Sequence, residues 1–241
     1  AADICLIDTT AHLDYIAAEF DLSREKIRRL FVGPTFAVSD IERTQINAGG
    51  SFNVLFLGTY IPLHGIGTIL GAAEKLKRDQ EVLFTLVGTG QLREEMEGKA
   101  RDAGLSNVKF VDWIDHRDMP DALRSCDLAL GVFGTTEKAA RVIPIKVFDI
   151  CAAGAPFVTA DTPAIREVFT HGETAFFVPA GDADALAGAI VLLKDNQELR
   201  KRIAKGGHEL ACTTFSIEGI GRELVRIIDS QARRHGDTET R

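Results

Sequence analysis

Short runs of consecutive apolar residues alternate along this chain with longer stretches in which apolar residues return every three or four positions. The runs, rich in β-branched and aromatic side chains, predict strands at 4–8, 28–32, 53–58, 82–88, 107–112, 127–132, 156–160 and 175–178. The spaced stretches predict helices at 11–20, 64–77, 91–103, 117–125, 144–153, 163–168, 183–194, 196–212 and 217–233. This alternation is the mark of βα units feeding a parallel sheet, and strands that are apolar at successive positions are those covered on both faces. Asp182 and Ser216 each precede a helix and are read as its N-cap, Gly219 and Gly221 weaken the first turns of the last helix, and Asp115 and Asp118 are read as helix caps. The expected fold is α/β: a Rossmann-like open parallel sheet with helices on both faces.

Four segments follow from the same pattern. Residues 1–38 hold one strand–helix unit and a further strand. Residues 39–52 (SDIERTQINAGGSF) are polar and glycine-containing and read as a linker. Residues 53–215 form a complete open α/β domain, and 216–241 a final helix with a polar tail (QARRHGDTETR) expected to fray. No internal repeat is visible. The opening AADICLID has no initiator Met and enters an apolar strand almost at once, which is read as a chain cut from a longer protein; N-terminal processing would give a similar start.

Composition narrows the classes. A hydrophobic share of 45% and a charged share of 26% are ordinary for a globular protein. The formal net charge of −7 argues against a nucleic-acid binder while leaving room for a local basic pocket. No apolar run is long enough to span a bilayer and no signal-peptide pattern is read. Cys5, Cys126, Cys151 and Cys212 are widely spaced and make no C-x-x-C pair, so they are expected to be buried reduced thiols in a reducing, cytoplasmic compartment.

Four stretches carry candidate chemistry. In LGTYIPLHGI (57–66) a strand ends at Gly58 and a helix starts near His64; glycines permit close backbone approach, and a helix start offers free N–H groups to a phosphate. An ordinary βα turn with a surface histidine is the other reading. In LVGTGQ (86–91), Gly88 and Gly90 follow a strand, too briefly for the dinucleotide pattern G-x-G-x-x-G, and either a tight turn or a ligand contact fits. In FVDWIDHRDMPDAL (110–123), Trp113 and Ile114 lie just past a strand end, where they could pack on a nucleobase or fill a core. In EKAARVIPIKVFDICAAGAPFVTADTPAIREV (137–168), Arg141 and Lys146 could clamp a diphosphate. Asp149 shares a helical face with Lys146 and could accept from ribose hydroxyls; a surface ion pair between the two is the plainer alternative. Asp182-x-Asp184 looks like a metal motif, but capping explains it better. His12, His116, His171, His208 and His235 lack ligand spacing, so no metal is expected.

Taken in order, these segments resemble the carboxyl-terminal domain of GT-B glycosyltransferases, in particular the retaining group 1 (family four) enzymes, over nearly all of residues 50–230. VLFLGTYIPLHGIGTILGAAEKL resembles the first strand, phosphate loop and helix, and LFTLVGTGQLREEME the G-x-G segment. NVKFVDWIDHRDMPDALRSCDLAL resembles the base-binding strand with its helix and next strand. IKVFDICAAGAPFVTADTPAIREVFTHGETAFFVPAGDADALAGAI resembles the signature region. In the family pattern E-G-F-G-x-P-x-x-E, Asp149 stands at the second glutamate, Arg141 at the first with reversed charge, and Glu137 lies nearby out of register. His64 replaces the family's basic residue before the loop glycine.

The resemblance implies a nucleotide sugar as substrate, held by Gly58, Thr59, His64 and Gly65 at phosphate, with Gly88, Gly90 and Glu137 adjoining. It places Trp113 and Ile114 at the base, Asp149 at the ribose, and Arg141 and Lys146 as the groups that stabilise the departing diphosphate. It implies no cofactor, and a hydroxyl acceptor (glycan, lipid or small molecule) held mainly by an amino-terminal domain of which 1–38 is the last piece. The parent enzyme would be cytoplasmic or peripheral on the inner membrane face. A GT-B nucleotide-sugar epimerase and a non-catalytic nucleotide-binding module with a decayed site are the alternatives.

Overall fold

The computed structural model describes residues 4–38 and 50–236. Most of the expected linker, residues 39–49, and the last residues of the tail lie outside the described residues. Eight strands form among the described residues, each within a residue or two of its expected span except that expected at 28–32, which stops at Arg29. β1 (Cys5–Ile7) and β2 (Ile27–Arg29) pair in parallel across α1 (Thr10–Glu19). A second sheet holds β3 (Phe52–Leu57), β4 (Val82–Val87), β5 (Val108–Val111), β6 (Leu128–Leu130), β7 (Phe157–Ala160) and β8 (Phe176–Val178), all parallel, in the order β5-β4-β3-β6-β7-β8. Its helices are α2 (Ile66–Lys75), α3 (Arg93–Asp102), α4 (Met119–Ser125), α5 (Glu137–Arg141), α6 (Ile145–Ala152), α7 (Pro163–Arg166), α8 (Ala183–Asp195), α9 (Gln197–Thr213) and α10 (Ile217–Gly236).

The unbroken apolar strands are explained by two cores. In β3, Val54 and Phe56 enter a cluster with α2, α3 and α8, while Leu55 and Leu57 enter a second cluster with α4, α6 and α7. Successive side chains of a strand point to opposite faces, so a sheet covered twice needs apolar residues at every position. β6 is joined to β3 at its start by Asp127, a buried carboxylate that accepts from the Asn53 amide at 2.8 Å.

Several expectations are corrected. The helix expected from residue 64 begins at Ile66; Pro62–His64 is instead a 3₁₀ turn, and Gly65 breaks the path with a left-handed φ of 67°. The stretch after Thr136, read as a loop, contains the short helix α5, capped by the Thr136 hydroxyl. α10 runs to Gly236, further into the polar tail than expected, with Ser216 as its cap. Asp182 caps α8 as read, but the Asp118 carboxylate makes no cap bond to α4. Cys126 and Cys151 are buried thiols, whereas Cys5 and Cys212 are exposed.

Gly88 and Gly188 give opposite expectations. A methyl on Gly88, whose φ is 135°, would overlap the Gly58 carbonyl, so Gly88→Ala should cost at least about 3 kcal/mol. A methyl on Gly188, inside α8, meets nothing within 4 Å, and Gly188→Ala should gain about 0.5–1 kcal/mol. Urea unfolding of the two variants measures both.

Candidate functional site

β3 and β6 lie side by side, but the chain leaves β3 toward β4 on one flank and β6 toward β7 on the other. At such a switch the loops diverge and a crevice opens beyond the carboxyl ends of the strands. Two loops border it here, 58–65 after β3 and 131–136 after β6. They are bonded to each other, the Phe133 amide donating to His64 O at 3.1 Å and the Gly134 amide to Leu63 O at 3.2 Å. Any side chain at Gly65 would strike the Phe133–Gly134 backbone, so only glycine permits this seam. On the other flank the Gly58 amide donates to Val87 O and the Tyr60 amide to Thr89 O. Gly88 and Gly90 face the backbone of Gly58 and Tyr60, which gives both the role of packing one loop against the next.

Into this corner comes Lys146, from the first turn of α6. Its ammonium lies 3.7 Å above the Phe56 ring, and a Cβ built on Gly58 would sit 2.6 Å from Nζ. Nζ is buried and has no hydrogen-bond partner among the described residues. Desolvation pulls its pKa well below the ordinary lysine value, because an ammonium without an acceptor loses its hydration for nothing. His64 stands alongside, only 7% exposed, with Nδ1 bonded to the Thr59 carbonyl. A carbonyl only accepts, so Nδ1 carries the proton and the neutral ring offers Nε2 as a lone pair. Burial first, and Lys146 second, lower its pKa from 6.5 to about 4. No side chain caps the N-terminus of α2 or of α6, whose N-cap positions are Gly65 and Pro144. The corner is therefore basic, poor in acceptors and bordered by two helix starts, an arrangement suited to an anion.

The other expected residues disperse. Asp149, one turn beyond Lys146, is 3% exposed, and its Oδ1 accepts both the amide (2.6 Å) and the hydroxyl (2.9 Å) of Thr35. His116 in turn reaches the Thr35 hydroxyl at 3.0 Å. Burial raises the Asp149 pKa, while the two Thr35 bonds and His116 oppose the rise. Asp149 and Lys146 form no ion pair among the described residues; they border one small cavity with Leu55 and Leu57. Arg141 stacks on Tyr15 of α1 at 3.6 Å and pairs with the exposed Glu137 at 3.3 Å. The Thr9 hydroxyl donates to the Arg141 carbonyl, and Glu167 accepts from the first two amides of α1 at 2.7 and 2.8 Å. Thr59 is exposed on the rim. Trp113 is 77% exposed, so the core reading is withdrawn, and Ile114 packs partly on the second core. Among the described residues no group of three or more His, Cys, Asp or Glu is placed to hold a metal. Thr35 and Arg93 were not singled out by the sequence. The GPT turn signal and the position of Arg93 just after the G-x-G were the available hints.

The fold is an α/β Rossmann-like domain of the GT-B type. The model of the glycosyl transferases group 1 family matches residues 38–210, and the chain belongs to that family. It is 31% identical over 182 residues to the phosphatidyl-myo-inositol mannosyltransferase of Mycobacterium leprae, covering 74% of this chain and 46% of that protein. It is 26% identical over 230 residues to the lipopolysaccharide core biosynthesis glycosyltransferase LpsE of Rhizobium meliloti, covering 94% of this chain and 64% of that one. The crystal structure of Anabaena HepE in complex with UDP and glucose superposes with a TM-score of 0.79 at 18% identity, over 95% of this chain and 63% of that one. The chain thus spans about half to two thirds of the length of these relatives.

His64 fixes a pH dependence. Its folded pKa of about 4 lies below the unfolded 6.5, so the unfolded chain binds the proton more tightly between those values. The stability this contributes is complete above pH 6.5 and is lost as pH falls toward 4, by about 3 kcal/mol. In His64→Gln that component of the acid loss should vanish, as a comparison of urea midpoints from pH 7 to 4 will reveal.

Proposed function

We propose that residues 53–215 form the nucleotide-sugar domain of a retaining glycosyltransferase that passes a glycosyl group to a hydroxyl acceptor. Residues 1–38 are the end of an acceptor-side domain, and the helix from 216 returns toward it. The observation that carries this reading is the buried, unpartnered Lys146 amine beside Gly58 at the switch point of the sheet. A lysine kept without an acceptor is pushed toward its neutral form in the empty fold, and a diphosphate beside it restores the charge. The complex of HepE with UDP and glucose supports the ligand class.

In this reading Lys146 and the starts of α2 and α6 meet the charge that develops on the departing diphosphate, without a metal. His64 joins them as a donor through Nε2 once the anion brings a proton to the ring. Loop 58–65 shapes the phosphate seat, Thr59 on its rim. Trp113 and Ile114 border the base. Asp149 reaches the ribose by releasing Thr35. Arg141, engaged by Tyr15 and Glu137, acts from the seam between the two segments. That engagement also favours a second reading, a nucleotide-binding module without transfer, which full-length protein inactive toward every hydroxyl acceptor would support.

Lys146→Met separates binding from structure. The thioether keeps the packing on Phe56 and removes the desolvated amine, so urea stability should hold or rise. UDP affinity, followed by calorimetry, should fall about tenfold to a hundredfold. Unchanged affinity in the variant, or no UDP binding by the unmodified chain at millimolar ligand, would sink the assignment.

A further inference from the structure

Arg93 opens α3 immediately after the loop 88–92, and its guanidinium is tied to the ends of two strands, β4 and β5. One amino group donates to the carbonyl of Gly88, just past β4, and to that of Val111, the last residue of β5, at 3.2 Å. The other donates to the Asp112 carboxylate at 2.8 Å, and Nε to Glu97 at 2.6 Å. Its Cζ lies 5.1 and 5.0 Å from the ring centres of Tyr60 of the phosphate loop and Phe110 of β5, two rings that adjoin each other at 6.5 Å. Tyr60 is itself buried, with its hydroxyl on Leu86 O at 3.2 Å. Such a residue reaches further than local helix capping requires. Its contacts span from the loop that shapes the phosphate seat to Asp112, the neighbour of Trp113.

We propose that Arg93 is a positioning residue that sets the distance between the phosphate corner at Gly58–Gly65 and the base-side segment at Asp112–Ile114, so that one nucleotide can engage both. The inference rests on the nucleotide reading given above and adds to it a residue that touches neither end of the ligand. Only a planar, five-donor cation can serve two carbonyls and two carboxylates from one position beside the rings; a lysine keeps the charge and loses the span. Trp113, largely exposed, has little packing of its own to hold it, so its placement depends on the backbone that Arg93 anchors.

The test compares UDP with inorganic pyrophosphate, which needs only the phosphate corner. Calorimetry on the 241-residue chain gives the preference for UDP over pyrophosphate in the unmodified protein, in Arg93→Lys and in Asp112→Ala. In Arg93→Lys pyrophosphate affinity should stay within about twofold while the preference for UDP falls about tenfold, the scale of one lost base contact. In Asp112→Ala, whose exposed side chain makes folding secure should the first variant misfold, the preference should fall about threefold. Equal weakening of both ligands would mark Arg93 as merely structural and overturn the proposal, as would an unchanged preference. An unmodified chain that binds UDP no better than pyrophosphate would overturn the nucleotide reading itself, and this inference with it.

Discussion

The donor-site reading depends on where a single amine is kept. Lys146 Nζ is buried against Phe56 with no oxygen among the described residues to receive its hydrogen bonds. In a folded interior such a group is costly, and a fold retains it only where something else offsets the cost. Everything nearby sharpens the demand. His64 adds a neutral imidazole whose own proton is turned toward Thr59, and the helices that begin at Ile66 and Ile145 bring uncapped ends to the same corner. The glycine seams at Gly65 and Gly88 bring the three loops close enough for this to be one site rather than three turns.

Much of this was legible in the chain. Continuous apolar strands announced a sheet covered on both faces, and the order of strands and helices announced its direction. Lys146 could be placed at the crevice because a residue in the first turn of a helix after a parallel strand has few other places to go. The short helix α5 was not legible, since five residues carry no period; only the Thr136 cap marked it. The partners of Asp149 and Arg141 were not legible for a different reason. Thr35 lies 114 positions from Asp149, and spacing says nothing about which distant loop will deliver an amide to a carboxylate. The exposure of Trp113 was likewise decided by tertiary packing, which sequence pattern leaves open for an aromatic at a strand end.

Asp149 and Arg141 show the same economy from two sides. Each belongs to the stretch that bears the family resemblance, yet each faces residues 4–38: Asp149 binds Thr35, and Arg141 stacks on Tyr15. The helix that carries Lys146 is therefore mechanically attached, one turn later, to the segment that leads into the linker. One carboxylate thus ties the helix of Lys146 to the segment that ends at residue 38.

The docking of α1 has a consequence of its own. Leu13 is the one fully buried apolar residue of that helix, Ala11 packs partly on the second core, and several contacts of its seat are polar: a glutamate on two amides, a hydroxyl on a carbonyl, a cation on a ring. Contacts of this kind are exchanged for water at little net cost, unlike a greasy interlock. The seam is thus held in large part by contacts that water can replace, while the first apolar core of the larger sheet is independent of it.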